Sequence, residues 1–164
     1  MRSEPFWLTT ARSLIGRFQS CDPGILHLAD GVAEAFPEMA NYCLLVTPTS
    51  PWCALFVAHV FARHKIRPPF NYQDEARSFL RAYAWSVWGD KVASKDRRPG
   101  DIVVLDINGG HHVGFYVSDR NGRCYMLGGN QEDQVKIKDY AARRCVAIRR
   151  PSCGHLRDTL RPPL

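Results

Sequence analysis

The chain has 164 residues, of which 45% are hydrophobic and 23% charged, with a formal net charge of +6. That length supports one domain with a proper core, and the charged fraction is ordinary for a folded protein rather than a disordered one. The basic excess favours anionic partners, but it is scattered as pairs such as Arg97-Arg98, Arg143-Arg144 and Arg149-Arg150, not as the continuous run that marks a nucleic-acid patch.

Trp7, Leu8, Ala11, Leu14, Ile15 and Phe18 recur at helical spacing and predict an amphipathic helix begun near Pro5. Cys21-Asp22-Pro23-Gly24 breaks it. A second helix is expected from about Ile25 to Phe36, with Gly31 as a weak point. Asn41 to Ser50 reads as a loop. It leads through Pro51 into an apolar helix that ends near His64-Lys65, ahead of Pro68-Pro69. Asp74 to Val87 predicts another helix, stopped by Trp88-Gly89-Asp90. The pattern then turns to strands over 101–106, 112–118, 124–127, 135–138 and 145–149, punctuated by Pro99-Gly100 and Asn108-Gly109-Gly110. Helices first and strands afterwards predict an α+β class, with N-terminal helices packed on an antiparallel meander of about five strands. Residues 1–151 are expected to form one domain, and 152–164 an Arg- and Pro-rich tail, loosely held.

Six cysteines occur, none in a C-x-x-C pair, so a zinc knuckle is not expected. Cys53 stands out by position. Ser50 suits an N-cap and Pro51 the first helical position, which would set Cys53 about three residues into the helix. Unpaired N–H groups and the helix dipole there would lower a thiol pKa and favour the nucleophilic thiolate. Cys53 is then expected to alkylate faster than the other cysteines. The competing reading is a small buried core residue.

A nucleophilic cysteine needs a base and a group to orient that base. Arg120-Asn121-Gly122 predicts a three-residue hairpin loop ending in a left-handed glycine. That register pairs Asp119 with Arg123 and sets His112 opposite Asn130, on one side of the sheet. His111 would face the other way. The resulting set is Cys53 as nucleophile, His112 as base and Asn130 as orienter, with the Cys53 backbone N–H in the oxyanion site. Trp52, Tyr42 and Gln131 are candidates for the substrate groove.

Pro51-Trp52-Cys53-Ala54-Leu55-Phe56-Val57, Arg98-Pro99-Gly100-Asp101-Ile102-Val103-Val104, His112-Val113-Gly114-Phe115 and Leu127-Gly128-Gly129-Asn130-Gln131 stand in this order. In order and approximate spacing they resemble the landmarks of the papain-like cell-wall hydrolases of bacteria and phages, close to the NlpC-type endopeptidases and CHAP amidases. The resemblance runs from about Leu8 to Pro151. It implies a papain-like fold and cleavage of an amide bond in peptidoglycan, with no metal and no cofactor. The stretch Phe70 to Arg81 looks like a local elaboration, and no acidic, glycine-rich segment follows the first helix.

Met1 to Trp7 lacks the apolar segment and cleavage site of a signal peptide, so synthesis in the cytoplasm is expected. The longest apolar run, Trp52 to Ala58, is too short for a membrane span. An enzyme of this kind would act in the periplasm or cell wall of a target cell. A phage holin would release it, or a type VI-like system would inject it as an antibacterial toxin restrained at home by an immunity protein. A monomer is expected, with peptidoglycan as partner and no nucleic acid. The alternative is a catalytically inactive basic module that binds wall polymer or an acidic protein.

Overall fold

In the computed structural model, residues 4–19, 21–71 and 77–157 are described. Helix α1, Phe6–Ser13, buries Trp7, Leu8 and Ala11. Helix α2, Gly24–Ala35, buries Ile25, Leu28, Ala29 and Val32, a stripe at helical spacing. Asp22 prepares its start, with Oδ1 accepting the Gly24 N–H at 2.8 Å. Gly31 is a packing position rather than a weak point: a Cβ there would lie 2.6 Å from His59 Nδ1. That nitrogen donates to the Leu28 carbonyl at 3.2 Å, tying α2 to the next long helix.

The expected loop before Cys53 contains a short helix, α3, Ala40–Cys43, entered through a 3-10 turn over Pro37–Met39. Met39 and Cys43 are buried, so this turn contributes to the core. Helix α4, Cys53–Ala62, buries every residue except His59. A helix apolar on nearly all sides belongs inside a protein. Accordingly α1 and α2 pack on one side of α4 and the sheet on the other. Among the described residues, no helix is long and apolar enough to cross a membrane.

The helix expected over 74–87 does not form as one element. Residues 72–76 of that region lie outside the described residues. The remainder is two 3-10 turns, Ser78–Leu80 and Ala82–Val87. The tighter winding brings positions three apart onto one side. Trp85 and Trp88 thereby both reach Phe61, at ring-centroid distances of 5.8 and 5.0 Å.

The strands are β1 Asp90–Lys91, β2 Ile102–Ile107, β3 Gly110–Arg120, β4 Arg123–Gln131, β5 Gln134–Ala141 and β6 Cys145–Arg150. They form a six-stranded sheet in the order β1-β6-β2-β3-β4-β5, with every pair antiparallel. The α+β class is as expected, with one short strand added. The simple meander needs correction, because β6 crosses back to pair with β2. An ion pair reinforces that return. Arg150 binds Asp101 through Nε to Oδ1 at 2.7 Å and Nη2 to Oδ2 at 2.8 Å, and Asp101 is only 2% exposed.

Ile102, Val104, Val113, Phe115, Leu127 and Val135 join the helices in one core cluster, while Val103, Leu105, Tyr116, Cys124 and Met126 form another. The start of the tail is docked rather than loose. Cys153–Arg157 form the short helix α5, and the His155 ring lies 4.7 Å from Trp88. Residues 158–164 of the tail lie outside the described residues.

Candidate active site

Cys53 is the first residue of α4, earlier in the helix than the sequence suggests. Ser50 does not cap. Its Oγ accepts the Thr47 N–H at 3.0 Å, closing a turn of its own. Trp52 occupies the cap position, and its carbonyl accepts the Phe56 N–H at 2.9 Å.

The sheet makes room for this helix start where two strands part. Tyr116 N–H donates to the Asp101 carbonyl at 2.7 Å. Even-numbered residues at this end of β3 therefore bond towards β2, and odd-numbered ones, Val113 included, face β4. Pairing between β3 and β4 ends at Phe115↔Leu127. The backbone at Val113 hydrogen-bonds the Cys53 thiol instead. Beyond the parting, Gly128 and Gly129 let β4 run close to α4. A Cβ on Gly129 would sit 2.6 Å from both Trp52 Cζ3 and Phe56 Cβ. A Cβ on Gly128 would come within 3.4 Å of His112 Nε2.

The hairpin register departs from expectation and then returns to it. The loop has two residues, Asn121 and Gly122, both left-handed at φ 51° and 71°, and Arg120 pairs with Arg123. A bulge between Tyr116 and Ser118 then shifts the register by one residue. A second irregularity on β4 lies between Gly128 and Gln131, where Asn130 has φ 55°. His112 and Asn130 are consequently not a strand pair. The side chain that bonds the imidazole is Gln131, with His112 Nε2 and Gln131 Oε1 3.1 Å apart.

Neighbouring groups fix the direction of that bond. Gln131 Nε2 donates to the carbonyls of Met126, at 3.3 Å, and Lys136. Its Oε1 therefore accepts, both from Tyr140 OH at 3.0 Å and from His112. His112 Nε2 must carry its proton, which leaves Nδ1 as the basic nitrogen. The Tyr140 ring lies 5.6 Å from the imidazole and closes the cluster. Sequence reasoning missed Tyr140. The alternation Lys136, Lys138, Tyr140, placed by pairing with Gly128, Met126 and Cys124, carries the signal but needs the observed register.

Burial holds the His112 pKa below the usual imidazole value, opposed by the Gln131 bond and aided by Lys138. Burial likewise pushes the Cys53 thiol above its usual value, against hydrogen bonding from the backbone at Val113, Ala54 and Cys53 itself. The expected lowering by the helix start is thus outweighed, because Cys53 is only 8% exposed. Tyr140 is raised to about 12, mainly by burial and next by the charge of a Cys53 thiolate. At neutral pH the site rests as a thiol and a neutral imidazole. Among the described residues no hydrogen bond joins the sulfur to His112.

Other sequence candidates fall elsewhere. Trp52 is fully buried and cannot line a groove. Tyr42 is half-buried, with its ring 6.0 Å from Phe70. Gln131 is 1% exposed and positions His112. His111 is exposed, 4.9 Å from the Tyr83 ring. Asn130 lines a cleft of about 470 Å³ whose lining also includes His112, Gln131, Tyr140 and several cations. All six cysteines are free thiols, and among the described residues no group of three or more His, Cys, Asp or Glu side chains could hold a metal ion. The described arrangement has the parts for nucleophilic attack by sulfur and proton transfer by imidazole. No protein-family model matches the chain, and no curated protein matches it.

Proposed function

We propose that the chain is a cysteine amidase or peptidase that cleaves an amide bond of the peptidoglycan stem peptide. One observation carries the chemical reading. The thiol at the start of α4 meets the backbone of Val113, and the preceding residue, His112, is held by Gln131 with Nδ1 left as the base. The four ordered motifs supply the substrate class. In this reading Nδ1 takes the Cys53 proton as the sulfur attacks the carbonyl carbon. The oxyanion forms near the Cys53 backbone N–H. The imidazolium returns the proton to the departing amine, which leaves a thioester. Water, deprotonated by the same nitrogen, attacks the thioester; the sulfur leaves, takes the proton back and releases the acid. Gln131 keeps the ring in the useful tautomer throughout, the role sequence reasoning gave to Asn130. The site of action follows as the periplasm or wall of a target cell, with an immunity protein as the restraint in the producer.

Incubating purified protein with sacculi under reducing conditions, followed by mass spectrometry of the products, tests this reading. New muropeptides carrying a free amine are expected from the native protein and not from Cys53→Ala. Sacculi unchanged at every pH from 5 to 9 would sink it. The raised thiol pKa favours one other reading, a basic module that binds wall polymer without cutting it. That reading requires Cys53→Ala to keep the full biological effect.

A further inference from the structure

Where β3 and β4 part, the strand backbone itself reaches the site. Val113 stands opposite Val104 of β2, but the phase set by Tyr116 N–H on the Asp101 carbonyl turns the Val113 N–H and carbonyl away from β2, towards β4. β4 does not meet them. Its pairing with β3 ends at Phe115↔Leu127, and Gly129, which the same register would set opposite Val113, lies against Trp52 and Phe56 instead. Val113 is fully buried, so its N–H has no water to turn to. The start of α4 fills the gap, and the backbone of Val113 bonds the Cys53 sulfur. That bond favours the thiolate over the thiol. It is therefore donated to sulfur, which identifies the Val113 N–H as the group that makes it.

We propose that the Val113 backbone N–H is a catalytic group, which holds the negative charge on the Cys53 sulfur while His112 carries the proton. The proposal rests on reading Cys53 as the nucleophile. In that step the proton passes from Sγ to His112 Nδ1 and the electron pair stays on sulfur, so nothing else is consumed. Burial opposes both charges of the resulting pair. The backbone groups that favour the thiolate belong to Cys53, Ala54 and Val113. The first two are the free N–H groups of any helix start. The third comes from β3 and is specific to this fold. One peptide bond joins it to His112, so a sulfur seated on it lies within a side chain's length of the imidazole. A hydrogen bond to a thiolate is stronger than one to a thiol. The donor thus contributes little to the resting site and most to the ion pair, as differential stabilisation requires.

The test replaces Val113 in the full-length protein by its α-hydroxy acid, which keeps the side chain and exchanges the N–H for an ester oxygen. The control is the same exchange at Phe115, whose N–H also faces β4 but meets a paired strand. Alkylation of Cys53 by iodoacetamide is followed against pH, with the modified peptide read by mass spectrometry. His112 and Tyr140, the other ionisable groups beside the sulfur, are retained in both proteins. The Val113 ester should move the alkylation midpoint to higher pH and slow the reaction at pH 8 about tenfold, the scale of a hydrogen bond to a charged group. The Phe115 ester should stay within about twofold of the native protein. NMR of the unmodified protein supplies a second measurement that no folding failure can remove. The Val113 amide proton should follow the ionisation of Cys53 with a larger shift than that of Phe115, and the response should vanish in Cys53→Ala. Unchanged alkylation in the Val113 ester, equal slowing in both esters, or a Val113 amide that ignores the titration overturns the assignment. Uncut sacculi together with alkylation that depends on the Val113 N–H would remove the hydrolase reading and keep the donor.

Discussion

Gln131 accepts two hydrogen bonds, from His112 and Tyr140, and donates two more to the carbonyls of Met126 and Lys136. Such a side chain cannot rotate without leaving buried polar groups unpaired, so it fixes the imidazole more firmly than a single contact would. Replacing it with leucine removes the acceptor that favours the protonated ring. Gln131→Leu should therefore lower the His112 pKa further, read by NMR titration of the ring, and cut kcat/KM on muropeptides by about 10- to 100-fold. Asn130→Gly keeps the left-handed backbone and should cost much less than Gln131→Leu. An unchanged His112 titration in Gln131→Leu would show that the amide does not set the state of the ring. The sequence pointed to Cys53, to His112 and to Asn130 as the orienter, with Gln131 only a candidate for the groove. Which of the two amides meets the ring depends on bulges, which insert a residue without changing the residue pattern. Burial of the thiol was the competing reading of the sequence, and what decides it, strands and turns distant in sequence, lies outside the local pattern.

The meeting of α4 with β4 depends on the absence of side chains at Gly128 and Gly129. Gly129→Ala would drive a methyl into the Trp52 ring and the Phe56 Cβ at 2.6 Å. Trp52 and Phe56 are both fully buried, so neither has free space to retreat into. Overpacking of this kind should cost about 1–3 kcal/mol, measured as a lower urea midpoint. Gly110→Ala is the control: a Cβ there meets only the Ile107 carbonyl oxygen, at 3.8 Å, and the midpoint should barely move. Equal midpoints for the two variants would mean that α4 and β4 are not tightly docked at this point. The Gly-Gly pair was visible in the sequence as part of a motif. Its purpose was not, because that depends on which helix lies over it. The helices α1 and α2 were readable from apolar spacing, although α1 ends at Ser13, short of the expected Phe18, and α4 was readable from its continuous apolar run. The turns over Ser78–Leu80 and Ala82–Val87 were not, because Trp85 and Trp88 adopt their spacing to meet Phe61, a residue on another element.

Across the whole molecule, the fold places several imidazoles where a proton is unwelcome. His59, His64, His112 and His155 all have pKa values lowered chiefly by burial. They serve different joins. His59 ties α4 to α2, His64 bonds Thr10 on α1 at 2.8 Å, and His155 sets the start of the tail on Trp88. The α+β order could be read from the sequence, but these joins could not, because each links residues that only the return of β6 and the docking of helices bring together. Their shared consequence is acid sensitivity. In the unfolded chain each ring titrates near 6.5, and in the folded protein lower. As pH falls below about 6.5 the unfolded state takes up protons that the folded state refuses, so stability falls. Above that pH all four are neutral in both states and contribute no slope. Glu4 and Glu132 have lowered pKa values near their cationic partners, and their effect enters only below about 4.5, the usual glutamate value. The urea midpoint should therefore be flat between pH 7 and 8 and decline between 6.5 and 5, before the carboxylates titrate. His64→Gln, which keeps a polar group beside Thr10, should make that decline shallower. A midpoint that is the same at pH 7.5 and pH 5 would show that these rings take up protons in the folded protein as readily as in the unfolded chain.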